Sequence, residues 1–247
     1  MKDRHRQADV ARTVRANEVT SPTMEVIRGG SAQVLALRLS QFTYPDRHPL
    51  AGRPGVAYAF AIVRAQDVIL YDTGIGFGDA WVDRTVGHRT SDLRQALSRA
   101  DIDPSAVSAI VHSHLHFDHC GQSRSFPGVP LLVQGSERDA ARRPDYTVPE
   151  WVDFAGARYE LLDGDRDLGG GVSILFTPGH TVGHQSVLIE GEGGPTILAG
   201  HAIFSAAEFR GEVPAAETGA AGLASATRLR ALEPRQVYFS HDEATWP

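Results

Sequence analysis

Cysteine is almost absent from this chain: Cys120 is the only one in 247 residues. A lone thiol excludes an intrachain disulfide and any thiolate-rich zinc or iron–sulfur site, and it agrees with a reducing, cytoplasmic setting. Long apolar runs are missing as well. No segment approaches ~18 uninterrupted apolar residues, and the basic start MKDRHRQADV is not followed by the apolar stretch of a secretory leader. Neither secretion nor membrane spanning is expected. Charge of one sign is not in excess either, since 24 Lys and Arg against 30 Asp and Glu give a net charge of -6. That balance argues against nucleic acid or an anionic membrane as the main partner and leaves a small-molecule substrate; a homodimer is compatible with it. Two catalytic signatures are also absent. There is no G-x-S-x-G nucleophile elbow, and GIGFG after a strand lacks the G-x-G-x-x-G spacing of a dinucleotide loop.

What is present suffices for one sizeable core: 42% of the residues are hydrophobic, within the usual length of a single α/β layered domain. Residues 1–24 are polar and weakly patterned and read as a frayed or surface-laid arm, with one domain over 25–247. SAQVLALRLS, VAYAFAIV and DVILYDTG have strand character, the last two joined by a short polar turn. TSDLRQALSRADIDP predicts a helix, with Leu93, Ala96, Leu97 and Ala100 on one face, Thr90 or Ser91 as N-cap and Pro104 as the stop. The strand AVSAIVHSH, the strand PLLVQ and a helix in SERDAARR follow. A loop through Trp151 leads to strands in RYELL, VSILFTPGH, HQSVLIE and PTILAGH. A helix from about Ala215 to Leu232 and the strand QVYFSHD complete the outline, that of a sheet sandwich flanked by helices.

The segment that carries chemistry is HSHLHFDHCG, residues 112–121. His114 and His116 alternate by two and share a face if the strand continues, and Asp118 and His119 stand in the turn behind them. Imidazole and carboxylate suit zinc, and also iron or manganese. The strand AVSAIV feeds directly into this run, unlike the polar flanks of a solvated histidine loop. More histidines follow later apolar runs: His180 in TPGHT, His201 in LAGHA and His241 in YFSHD. Each stands at a strand end, where loops build sites on a rigid scaffold. His112 reads as structural and Cys120 as a small packing residue.

These stretches resemble the metallo-β-lactamase superfamily, whose HxHxDH motif is met by His114, His116, Asp118 and His119. The likeness runs from about residue 34 through DTG at 72–74, LLVQGSE at 131–137, TPGHTVGHQSVLIE at 177–190 and YFSHD at 238–242. Within the superfamily it looks most like the N-acyl homoserine lactonase branch, which hydrolyses lactones with two metal ions. The resemblance implies an αββα sandwich of two mixed β-sheets flanked by helices. It implies a first metal on His114, His116 and His180 and a second on Asp118, His119 and His241. Zinc, one or two ions per chain, is the cofactor expected. The resemblance gives Asp118 the catalytic task of orienting the attacking water and shuttling a proton, and gives Asp72 a supporting place behind a ligand. His184 either touches the metal surroundings or is a hydrogen-bonded structural residue.

Two departures stand out. Family members carry an aspartate bridging both metals where this chain has His201. A carboxylate has two oxygens for two metals, whereas a neutral imidazole offers one lone pair to one. Two dications about 3.5 Å apart repel by on the order of 20 kcal/mol at an effective dielectric of about 20, so an anionic bridge matters. His201 is thus expected at the active site, as a terminal ligand or a donor close behind, with a weaker second metal or a mononuclear centre. The lactonase branch also has a substrate-bonding tyrosine three residues later, and here Phe204 stands instead. The expected function is metal-dependent hydrolysis of a lactone or related ester. The alternatives are a mononuclear zinc or iron thioesterase or sulfur dioxygenase, and a catalytically weakened binding protein. Phe204, Phe42 and Trp151 are the residues expected to bind substrate, among rim aromatics that include Tyr44, Phe77, Trp81 and Phe209.

Overall fold

A computed structural model describes residues 23–26, 32–46, 48, 50–217 and 219–247. Residues 1–22, nearly all of the expected arm, lie outside them. The arm's last two residues, Thr23 and Met24, belong instead to β1 (Thr23–Val26), paired antiparallel with Ala36 and Leu35.

The larger sheet contains β1, β2 (Ala32–Thr43), β3 (Pro54–Arg64), β4 (Val68–Tyr71), β5 (Arg89–Thr90), β6 (Val107–Val111), β7 (Pro130–Gln134) and β8 (Arg158–Leu162). Its order is β1-β2-β3-β4-β6-β7-β8, with β5 beside β2; the pairs are antiparallel through β4 and parallel from β4 to β8. The smaller sheet contains β9 (Arg166–Asp167), β10 (Val172–Phe176), β11 (Gln185–Ile189), β12 (Thr196–Leu198) and β13 (Gln236–Tyr238). It is antiparallel except for the parallel β12–β13 pair. Both sheets are therefore mixed.

Strand periodicity explains the layers. On β2, Val34 and Ala36 face the second sheet, where they join Phe60, Ile62, Val187 and Ile189 in the inter-sheet core. The alternate Leu35, Leu37 and Leu39 face outward and are covered by Leu93 and Leu97 of α2 (Leu93–Arg99), after α1 (Ala80–Val86). Both faces are buried over Val34 to Leu37, and there the strand reads as a continuous apolar run. The other helices are α3 (Phe117–Cys120), α4 (Gly135–Ala140), α5 (Pro149–Val152), α6 (Ala206–Phe209) and α7 (Ala220–Ala231), the last two packed on the outside of the smaller sheet.

Two helix starts differ from the sequence reading. Asp92, not Thr90 or Ser91, caps α2, its carboxylate accepting the Gln95 N–H at 2.8 Å. Thr90 is committed to β5 opposite Ser40, and Ser91 N–H donates to Leu39 O. The helix ends at Arg99, with Asp101 in the left-handed region, so Pro104 opens a separate 3-10 turn. The last helix starts at Ala220 rather than near Ala215, because Gly219 is extended and Glu217 turns toward His180. Parallel strands now align their carboxyl ends at one rim, and from that rim the histidine loops emerge.

Candidate metal centre

β6 stops at Val111, so His112 to His116 form an extended connection into α3 rather than a continued strand. His114 and His116 still converge, their rings 4.5 Å apart edge to face. His180 follows β10, His201 follows β12 and His241 follows β13, and all reach the same place: His201 lies 5.0 Å from His114, 4.8 Å from His119, 4.2 Å from His180 and 4.7 Å from His241 between ring centroids. Three sets of donor atoms form, each with its own atoms within 4.8 Å of one another: His114/His116/His180, Asp118/His119/His241, and His114/His119/His201.

Four of these rings have their outer nitrogens committed. His119 Nδ1–H donates to Asp72 Oδ2 at 2.8 Å, His180 Nδ1–H to Glu217 Oε1 at 3.0 Å, and His241 Nδ1–H to the Val56 carbonyl at 2.6 Å. Ser113 Oγ gives its proton to Asp72 at 2.8 Å and so accepts from His114 Nδ1 at 2.9 Å. For His114, His119 and His180 each Nε2 therefore presents a lone pair inward. His114, His119 and His201 Nε2 are buried without a hydrogen-bond partner. His241 Nε2 lies 3.2 Å from the Asp118 carboxylate. Three buried imidazole nitrogens converging without a hydrogen-bond partner suit a cation, and the residues fit a divalent metal.

Electrostatics agree. Burial, then the neighbouring imidazoles, keeps His114 and His201 well below the usual histidine range, hence neutral and able to ligate. Burial opposes ionisation of Asp72, but the His119 and His112 side chains outweigh it and bring the carboxyl down to about 2. Asp72 holds a left-handed backbone, φ 61°, which aspartate tolerates, and accepts from Ser113 N–H at 2.7 Å. It orients His119 from behind. His184 is fully buried, and its Nε2 accepts the His201 N–H at 2.9 Å while Nδ1–H turns to Thr177. Its role is to fix the His201 backbone. Gly200 at φ 59° completes that support: a Cβ there would sit 2.6 Å from both His184 Nε2 and the Tyr71 hydroxyl.

His112 is structural, its Nε2 on Ser123 Oγ at 2.9 Å. Burial pushes the Cys120 thiol up to about 12, which suits an inert packing residue. Sequence reasoning passed over Glu137 and Glu217. Glu137, fully buried on α4, accepts from Leu115 N–H at 2.8 Å, Thr181 Oγ1 at 2.6 Å and the Tyr146 hydroxyl, joining the two ligand loops. The position of LLVQGSE beside the histidine motif was the only signal.

A cleft of about 1070 Å³ opens above the cluster. His116, Asp118, His180, His201 and His241 form its floor; Phe42, Tyr44, Trp81, Phe117 and Phe204 supply apolar walls. Phe204 lies 5.3 Å from His201 and, near the mouth, 6.5 Å from His48, which stacks on Tyr44. Trp151 does not line this cleft. Its indole is 2% exposed and packs with Ile75, Val82 and Val148, beneath the loop where the sequence placed it in a binding role. Phe209 packs on Trp246, and Phe77 points to solvent.

Comparison with known proteins agrees with this architecture. The metallo-beta-lactamase superfamily model matches residues 52–241. An N-acyl homoserine lactonase from Bacillus sp is 37% identical over 151 residues, 59% of this chain and 60% of that protein. The N-acyl homoserine lactonase AttM of Azorhizobium caulinodans is 32% identical over 169 residues, 59% of this chain and 62% of its own length. The match thus spans about three fifths of each relative. A solved quorum-quenching N-acyl homoserine lactone lactonase superposes with a TM-score of 0.73 at 25% identity, covering 88% of this chain and 95% of that one. The AiiA mutant of B. thuringiensis with N-decanoyl-L-homoserine bound at its active site gives 0.73 at 25% identity, covering 87% and 94%. Histidine-bearing strand ends, two mixed sheets and the family match over most of the chain lead to one assignment: this chain belongs to the metallo-beta-lactamase superfamily.

Proposed function

We propose that this chain is a metal-dependent hydrolase that opens an N-acyl homoserine lactone or cleaves a closely related ester. The observation that carries the reading is the cluster of inward lone pairs at the floor of an apolar-walled cleft. Homoserine lactones with an acyl tail combine a polar ring with an apolar chain, and the cleft offers a polar floor and apolar walls for the two parts. The lactonase relatives and the structural neighbour with N-decanoyl-L-homoserine bound support the same substrate class.

Zinc is the metal we propose, given an imidazole-rich set with one carboxylate and no usable thiolate. Bound there, it supplies Lewis acidity to the carbonyl and makes water nucleophilic near neutral pH. Asp118 stands among the histidines on the cleft floor and takes the proton from the attacking water, passing it to the leaving alkoxide. Its ionised form prevails: burial opposes it, but His119, His241 and His116 together hold its carboxyl far below the ordinary range. Phe204 packs against substrate without donating. Phe42, edge-on to His241 at 5.8 Å, closes the wall on the other side.

Incubation of metal-loaded protein with an N-acyl homoserine lactone, followed by mass spectrometry, is expected to yield the ring-opened acyl homoserine, one water heavier. Turnover of thioesters with none on lactones or oxygen esters contradicts this reading, as does oxygen consumption on a persulfide.

A further inference from the structure

The three donor sets cannot all be filled together, because His114 and His119 each belong to two of them and each imidazole has one lone pair to give. Filling both outer sets consumes His114 and His119 and leaves His201 Nε2 buried with no partner. Filling the central set uses the three buried, unpartnered Nε2 atoms and leaves the outer pairs in the contacts they already make: His116 Nδ1 with His180 Nε2 at 3.2 Å, and Asp118 with His241 at 3.2 Å.

We propose that the tight metal site of this chain is the central all-histidine set, His114, His119 and His201, holding a single dication beneath the cleft. The inference rests on the metal-centre reading above and sharpens which residues do the holding. Three features support it. First, each ligand is braced: His114 through Ser113, His119 through Asp72, and His201 through its backbone N–H on His184 and the left-handed Gly200. Second, His114 and His119 are closed off from solvent while His201 borders the cleft, so an ion held by the three would lie just under the cleft floor, within reach of a molecule in the cleft. Third, the outer pair of sites lacks a carboxylate between them, and two dications held side by side without an anionic bridge repel strongly. Histidine at position 201 thus removes the bridge and supplies a third ligand for one ion.

The test is metal stoichiometry and affinity on purified, chelator-stripped protein titrated with zinc, and with cobalt for its visible ligand-field spectrum. The natural chain is expected to bind one tight equivalent. His201→Ala is expected to weaken it by more than about 100-fold, with loss of the cobalt spectrum, whereas His116→Ala and His241→Ala keep it. His201→Asp, which restores a two-oxygen bridge, is expected to raise the stoichiometry to two. His201→Gln and the unfolding midpoint of each metal-free variant separate ligand loss from misfolding. Wild-type affinity in folded His201→Ala overturns the proposal, as does loss of the tight equivalent in folded His116→Ala. No metal bound by the natural chain overturns the metal-centre reading itself.

Discussion

His114→Ala is expected to lower kcat/KM for lactone opening by about 10³-fold, equivalent to about 4 kcal/mol of transition-state stabilisation. His114 belongs to both the His116/His180 and the His119/His201 sets, so it serves a single central ion and a paired centre alike. Its ring is wholly buried, with rings of His116, His119, His180 and His201 all within 5.0 Å. Alanine also leaves Ser113 Oγ without the Nδ1–H it accepts, but Ser113 keeps its own bond to Asp72, so the loop remains tethered. The loss is therefore expected in rate and metal content, with the metal-free unfolding midpoint little changed. Steady-state kinetics on metal-saturated protein check this, and a rate within about tenfold of the natural chain contradicts it.

Glu137→Ala is expected to destabilise the metal-free protein by about 3–5 kcal/mol, the combined cost of stranding buried donors and opening a void. The Leu115 N–H lies between two ligand histidines and donates to Glu137 Oε1; Thr181, next to His180, donates to Oε2. Losing the carboxylate frees both loops from α4. Tyr146, half-buried at the cleft wall, can turn to water and contributes less. Glu137→Gln retains one acceptor oxygen and is expected to fall between the two. Urea unfolding reads the effect as a lower midpoint at constant slope, and a change under about 1 kcal/mol refutes the bracing role.

The difference between Glu137 and His114 shows what a sequence exposes. His114, His116, Asp118 and His119 stand within six residues at the end of an apolar strand, so their common destination is visible before any fold is known. His180, His201 and His241 each close a strand of the smaller sheet, and the resemblance to a known motif connects them. The larger layering was likewise legible, since β2, β3, β10 and β11 alternate or run apolar as buried strands do. Glu137 and Glu217 act across 44 and 37 residues of chain, on Thr181 and His180, and no local pattern marks an acid that will be buried or turned inward by tertiary closure. Trp151 was misplaced for a related reason: an aromatic in a Pro-containing loop looks like rim, yet the short α5 tucks it against Ile75 and Val82. The α2 cap was missed because three capping residues stand in a row, and only the pairing of β5 with β2 decides among them.

The account depends most on the claim that this chain's activity is that of its metal. Protein stripped with chelator and titrated with zinc, while ring opening of an N-acyl homoserine lactone is followed by proton release, tests it directly. The account predicts no turnover in the stripped protein and a rate that climbs in proportion to bound zinc until the tight site is full. Full turnover by metal-free protein, or zinc that binds without restoring any lactone opening, would contradict it.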